Sequence, residues 1–246
     1  MVYKFNKFYT NIFVIFIHIY KYTFIGKKHI YNGMSNVYGV TDLFEQSVAK
    51  YTGAPYAVAV DSLTNGLFMC LMYENIKGKS ISIPERTYIS VPCEIIHAGG
   101  KVEFETLNGT TLKGAYQLKP TRVWDSALRF THNMYVPNTL MCVSFSGVYK
   151  PLKLIKGGMI LLDDEKAYNW LRRARFSGRN NCSYLKDNLD MLGWNFIMPP
   201  PTAAMGLYLM GQFYNVDGTP KHNEDVELPY PKLSDFPVYK TYDKTI

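Results

Sequence analysis

The sequence predicts an α/β layer structure with a mostly parallel sheet, and three observations carry that prediction. Short apolar runs recur along the body of the chain: Ala57 to Val60, Ser80 to Pro84, Leu140 to Phe145 and Gly157 to Leu162. Segments with apolar residues at helical spacing lie between several of them, as with Leu67, Leu71 and Met72. Turn-forming Gly, Asp and Pro punctuate the boundaries. Strands that alternate with helices bury their faces under those helices, which is the pattern of a parallel sheet.

The elements follow in order. Asp42-Leu-Phe-Glu45 has the spacing of a capping box, and the helix it opens is expected to run to Gly53, where glycine suits the C-terminal turn. Ala57 to Val60 is a short strand. Asp61 to Gly66 turns the chain into a second helix. Ser80 to Pro84 is a strand, Thr87 to Gly99 a helix weakened by Pro92, and Lys101 to Glu105 a strand by alternation. Thr121 to Asp125, Leu140 to Phe145 and Gly157 to Leu162 are further strands. Lys166 to Gly178 and Thr202 to Tyr214 are helices. Beyond Tyr214 the periodicity ends, and residues 215–246, with Pro220, Pro229, Pro231 and Pro237, are expected to form an extended tail.

Length and composition set the bounds. At 246 residues, 47% apolar and 19% charged, the chain is neither a disordered tail nor a coiled coil. No window reaches the roughly 18 uncharged apolar residues of a membrane span. Net charge is +7, but Lys4, Lys7, Lys21, Lys27 and Lys28 precede the first acid, Asp42. Without residues 1–33 there are 22 basic and 20 acidic residues, a balance of +2. That argues against a basic face for nucleic acid. Residues 1–33 are aromatic, basic and free of acids. They read as an extension outside the fold, with an ordinary globular pattern beginning after Met34; a membrane-surface anchor and a targeting peptide are the competing readings.

Cys70, Cys93, Cys142 and Cys182 form no CxxC pair, and the five histidines form no HxxxH or HExxH, so a metal site has no support. The cysteines in apolar runs read as core thiols.

In open α/β sheets, ligands bind beyond the carboxyl ends of the strands. Four such ends carry polar groups here. Asp61 to Asn65 leads into a helix N-terminus, where free N–H groups and the Thr64 hydroxyl suit a phosphate; plain capping by Thr64 is the competing reading. Arg86-Thr-Tyr88, Trp124-Asp-Ser-Ala127 and Ser144 to Lys150 are the others. Pyridoxal phosphate needs such a set. It takes a lysine for a Schiff base, a carboxylate at the ring nitrogen, an anion cradle and a flat group over the ring. Lys150, Asp125, Ser62 to Asn65 and Tyr88 could supply these in turn, which composition and spacing alone do not decide.

The order of motifs resembles the DegT/DnrJ family of sugar aminotransferases, within the aspartate-aminotransferase-like fold. The segments that carry the resemblance are Phe44-Glu45, Tyr51-Thr-Gly53, Tyr56 to Thr64, Pro84-Glu-Arg-Thr-Tyr88, Trp124-Asp-Ser-Ala127, Ser144 to Lys150 with Lys156-Gly-Gly158, and Gly193-Trp-Asn195 through Ala203-Ala-Met-Gly206. It implies a three-layer α/β/α domain over residues 34–214 that binds pyridoxal phosphate. It implies that Lys150 attaches the cofactor and moves the substrate proton, that Asp125 pairs with the pyridinium, and that Tyr88 stacks on the ring. Leu63 and Thr64 would hold the phosphate, with Ser144 or Ser146 joining them on a shifted strand register, and Asn195 would reach the phosphate site of a second subunit in a homodimer. The implied activity is transfer of an amine from glutamate or glutamine to a keto-sugar nucleotide, in the cytoplasm. The chain departs from the family pattern at Trp124, Leu128, Phe145 and Ile197. Phe145 stands where a phosphate-binding serine is usual. Three lost hydrogen bonds would weaken cofactor binding by roughly 10² to 10⁴. The family's small C-terminal domain, on the order of 100 residues, does not follow Gly206. These departures favour the alternative of a catalytically weak or inactive relative.

Overall fold

A computed structural model describes residues 38–106, 113–221 and 229–241. Residues 1–33, read as an extension, lie outside them. The described residues from Gly39 onward cluster as one unit.

The first helix, α1, spans Gly39–Thr52 and ends at Gly53, whose φ of 77° is the left-handed conformation that suits glycine after a helix. Strand β1 is Tyr56–Val60 and helix α2 is Leu63–Tyr73. Strand β2 (Ser80–Pro84), helix α3 (Ser90–His97) and strand β3 (Lys101–Glu105) form a crossover unit. The short strand β4 (Tyr116–Gln117), absent from the sequence reading, precedes β5 (Val123–Ser126), β6 (Leu140–Ser144) and β7 (Gly158–Leu162). Helices α4 (Glu165–Ala174) and α5 (Pro200–Met210) follow, with α6 (Pro237–Thr241) in the C-terminal segment.

The sheet order is β1-β7-β6-β5-β4, beside a β2-β3 pair. Ser82 and Lys119 exchange backbone hydrogen bonds of 2.8 and 3.1 Å and join the two sheets. The expected mostly parallel sheet is corrected to a mixed one. Among the described residues, β1/β7, β6/β7 and β4/β5 are antiparallel ladders, and β2/β3 and β5/β6 are parallel. The reason lies in the connections. A parallel pair needs a crossover, usually a helix, that carries the chain back to the start of the sheet, whereas a chain that returns directly pairs antiparallel. The chain turns back from β6 into β7 with no helix between, and from β4 into β5 through the Lys119-Pro120 turn.

Alternate residues of the central strands feed two cores. Val58, Val60, Leu140, Cys142, Ile160 and Leu162 pack against α2, α3 and α4. Ala57, Ala59, Met141, Val143, Met159 and Leu161 pack against α1 and α5. Period-two alternation thus places a helical layer on each sheet face, the three layers the resemblance implies. The buried Cys70 and Cys142 thiols lie 3.7 Å apart and are not bonded, and the Cys142 thiol is pushed up by burial.

Asp164 opens α4 by accepting from Ala167 N at 3.0 Å, and Arg122 reaches the same carboxylate at 3.2 Å. The Ala167 N–H first, and Arg122 after it, hold the Asp164 carboxyl below the usual carboxylate range. Asp164→Ala should cost about 1 kcal/mol. Because the folded-state pKa is depressed, that stabilisation is present above the ordinary carboxylate range and is lost as pH falls below that range, through the lower folded-state value. Urea melts of both proteins should therefore differ at roughly pH 6 and converge toward roughly pH 2. An equal gap at both would assign the loss to something other than the charge.

Candidate active site

Strands β1, β5 and β6 run in one direction, and β2 joins them through the Ser82–Lys119 bridge, so their carboxyl ends share one sheet edge. There the chain leaves β5 through Asp125, which is almost fully buried. Ala127 N donates to Asp125 Oδ1 at 2.8 Å, and the Tyr116 hydroxyl donates to Oδ2 at 2.9 Å. A carboxylate has about four lone-pair positions, so room remains for one more donor. Lys150 arrives from the loop after β6 and is 9% exposed; its Nζ donates to Ala127 O at 2.8 Å. One peptide residue, Ala127, therefore ties the acid to the lysine.

Burial sets the electrostatics of this pair. It pushes the Asp125 carboxyl above the usual carboxylate range, against the Ala127 N–H, the Tyr116 hydroxyl and the Lys150 ammonium. Burial also lowers the Lys150 ammonium, with Asp125 opposing. Both shifts favour neutral forms in a water-poor site, so Lys150 reaches its nucleophilic state at a lower pH than an exposed lysine does.

The remaining polar groups connect to this centre. The Thr87 hydroxyl lies 2.5 Å from the Tyr116 hydroxyl, and the Tyr116 phenol, deeply buried, is held well above its ordinary range. Tyr88, next to Thr87, is half exposed and packs its ring 6.3 Å from that of Tyr230. The Thr64 and Ser90 hydroxyls are 3.0 Å apart, which links the α2 N-terminus to the start of α3. Ser62, not Thr64, is the capping residue, accepting from Asn65 N at 3.2 Å. The competing reading of Thr64 as a plain cap is thereby set aside. Leu63 has its side chain in the core, so only its backbone N–H can serve a ligand. Ser144 pairs in register with Gly158, and a Cβ on Gly158 would lie 2.5 Å from Leu63 N. That glycine lets the β7 strand close on the α2 N-terminus. Ser144 Oγ accepts from Ser146 N at 3.3 Å and keeps its own proton for a ligand. Ser146 is engaged on both sides by Gly157. Asp61 adds a negative charge at this end, held by Asn65 Nδ2 at 2.7 Å and by Lys156 at 3.5 Å.

Of the residues singled out in the sequence, Lys150, Asp125, Tyr88, Thr64, Leu63 and Ser144 gather at this edge. Asn195 is exposed and stands apart from their hydrogen bonds, although Asp61 N donates to Phe196 O at 2.9 Å beside it. Phe145 is fully buried between Phe44 and Phe130 and offers an anion nothing. Sequence reasoning missed Tyr116, whose strand is two residues long, and Ser90. It also missed Tyr230, hidden in a proline-bearing segment without periodicity. For Thr87, its place beside Tyr88 was the one available signal.

The comparisons with known proteins agree with this architecture. Residues 28–120 match the DegT/DnrJ/EryC1/StrS aminotransferase family. The DegT/DnrJ match takes in α1 through β3 and the whole Thr64 and Tyr88 region. No curated protein matches the sequence. Among solved structures, the sugar aminotransferase CalS13 from Micromonospora echinospora is similar at a TM-score of 0.60 and 18% identity, over 71% of this chain and 60% of that one. A Bacillus cereus protein assigned as a PLP-dependent aminotransferase gives 0.59 and 19%, over 72% and 59%. Helicobacter pylori PseC, an aminotransferase involved in the biosynthesis of pseudoaminic acid, gives 0.58 and 14%, over 74% and 58%. The chain thus shares the fold of these aminotransferases while spanning about 60% of the length of each of them.

Proposed function

We propose that the chain binds pyridoxal phosphate and acts as an aminotransferase on a keto-sugar nucleotide, with glutamate or glutamine as donor. The observation that carries this reading is the Lys150–Ala127–Asp125 bridge. A buried amine and a buried acid with a free lone pair stand at one sheet edge, beside the N-terminus of α2. The residues fit the cofactor. Gly158 puts no side chain against Leu63 N, and the first N–H groups of α2 lack intrahelical acceptors by position. The family and the similar structures support the same cofactor.

When bound, the cofactor supplies an electron sink for the bond broken at the substrate's α-carbon. The chain's own groups do the rest. Lys150 would attach the cofactor and carry a proton to and from that carbon. Asp125, fixed from both sides by Ala127 and Tyr116, would hold the proton on the ring nitrogen through a charge-assisted bond. Tyr88 would cover one ring face. The Leu63 and Thr64 N–H groups, the Thr64 hydroxyl and Ser144 would hold the phosphate, aided by the helix dipole. Asn195, exposed on a single chain, would serve a second copy in a homodimer. Phe145 in the core favours a second reading, a relative that binds the cofactor weakly and turns over little.

The test is borohydride reduction of the protein with pyridoxal phosphate, followed by peptide mapping. The label should fall on Lys150. Attachment should rise with pH and reach half its maximum below the pH that an exposed lysine requires. Label on another lysine, or on none, would overturn the assignment.

A further inference from the structure

The C-terminal segment reaches the same sheet edge. Sequence reading expects residues 215–246 to be extended, but Leu233–Asp235 makes a 3₁₀ turn ahead of α6. The segment is tied to the loop that carries Tyr88. Leu233 N donates to Glu85 O at 2.8 Å, Arg86 Nη1 donates to Tyr230 O at 3.2 Å, and Lys232 pairs with Glu85 at 3.1 Å. Leu233 is fully buried. Farther on, the Tyr239 hydroxyl donates to Ile89 O at 3.0 Å, and its ring packs 5.6 Å from Phe104.

These anchors place Tyr230 on Tyr88, with ring centroids 6.3 Å apart and planes inclined by 61°. The Tyr230 phenol is pushed up to about 12 by burial first, and then by the charge of Asp125 and by Tyr88. A ring packed edge-on against Tyr88, within reach of the Asp125 charge, occupies space that a cofactor ring lying between those two residues would need.

We propose, building on the function read above, that residues 229–241 form an intrasteric strap in which Tyr230 takes the place of the cofactor ring and must leave before pyridoxal phosphate enters. Its hold is local. One buried leucine, one partly exposed ion pair, a backbone hydrogen bond to Glu85, the Arg86 and Tyr239 side-chain hydrogen bonds and the Tyr239–Phe104 ring contact fix it. None of them lies within the sheet's ladders, so it can open without unfolding the sheet. The apparent affinity for the cofactor is then scaled down by the fraction of molecules with the strap open.

The experiment titrates pyridoxal 5′-phosphate into the full chain and into Tyr230→Ala, Tyr230→Phe and Leu233→Asp. It reads the absorbance of lysine-bound cofactor and, separately, the rate of trypsin cleavage after Lys232. Tyr230→Ala should bind roughly tenfold tighter, and Leu233→Asp, which removes the anchor, should shift the same way. Tyr230→Phe keeps the ring and should match the wild type. Cofactor should speed cleavage after Lys232 in the wild type. Equal or weaker binding by Tyr230→Ala and Leu233→Asp, or slower cleavage on adding cofactor, would make the segment a wall of the site and overturn the strap alone. Lysine-bound absorbance in none of the four proteins would overturn the aminotransferase reading and the strap together.

Discussion

Asp125→Asn should slow the half-reaction with glutamate or glutamine by at least roughly 10²-fold, equivalent to about 2.7 kcal/mol of barrier. An amide cannot stabilise a protonated ring nitrogen as a carboxylate does. Folding should be nearly indifferent to the change. The amide oxygen still accepts from Ala127 N, and the amide nitrogen can donate to Tyr116 once that hydroxyl turns toward Thr87. With every partner kept, stability should move by less than about 1 kcal/mol. Single-turnover absorbance measures the rate, and urea melts of the apoprotein measure the stability. An active wild type matched by its Asn variant would take Asp125 out of the site. A wild type without turnover would move the weight to the weakly active reading.

Glu45→Ala should destabilise the protein by about 3–5 kcal/mol, the cost of leaving a buried charge alone. Glu45 Oε1 accepts from Ala59 N at 2.8 Å and from Arg175 Nη1, and Arg175 also donates to Ala59 O. The side chains are 5% and 9% exposed, so water cannot replace the missing partner. At the 2–4 °C per kcal/mol expected for a domain of this size, the midpoint should fall by roughly 6–20 °C in calorimetry. Replacing both residues with Met removes the unpaired charge but takes these partners from Ala59 N and Ala59 O, so it should restore only part of the loss. A single variant that melts with the wild type would show that the ion pair does not hold α1 to β1 and to the end of α4.

The sequence by itself determined most of the layer order and the chemistry on offer. Apolar runs such as Ala57 to Val60 and Leu140 to Phe145 are strands because every side chain on them is buried on one face or the other, and burial is written in composition. Lys150, Asp125 and Thr64 were legible because each follows such a strand, where an α/β sheet collects ligand-binding groups. Only the tertiary structure decided what depends on contacts between distant segments. The direction of β7 follows from the closure of the loop after β6, which no local pattern records. Glu45 was visible only as part of a motif; its role appears when Arg175, 130 residues away, meets it beneath Ala59. The hydroxyl relay from Thr87 through Tyr116 to Asp125 joins three separate turns of chain. Tyr230 lies in a stretch without periodicity. Its place on Tyr88 is set by one buried leucine, by a backbone hydrogen bond to Glu85 and by the Arg86 guanidinium on Tyr230 O, contacts between segments about 145 residues apart that no local pattern records.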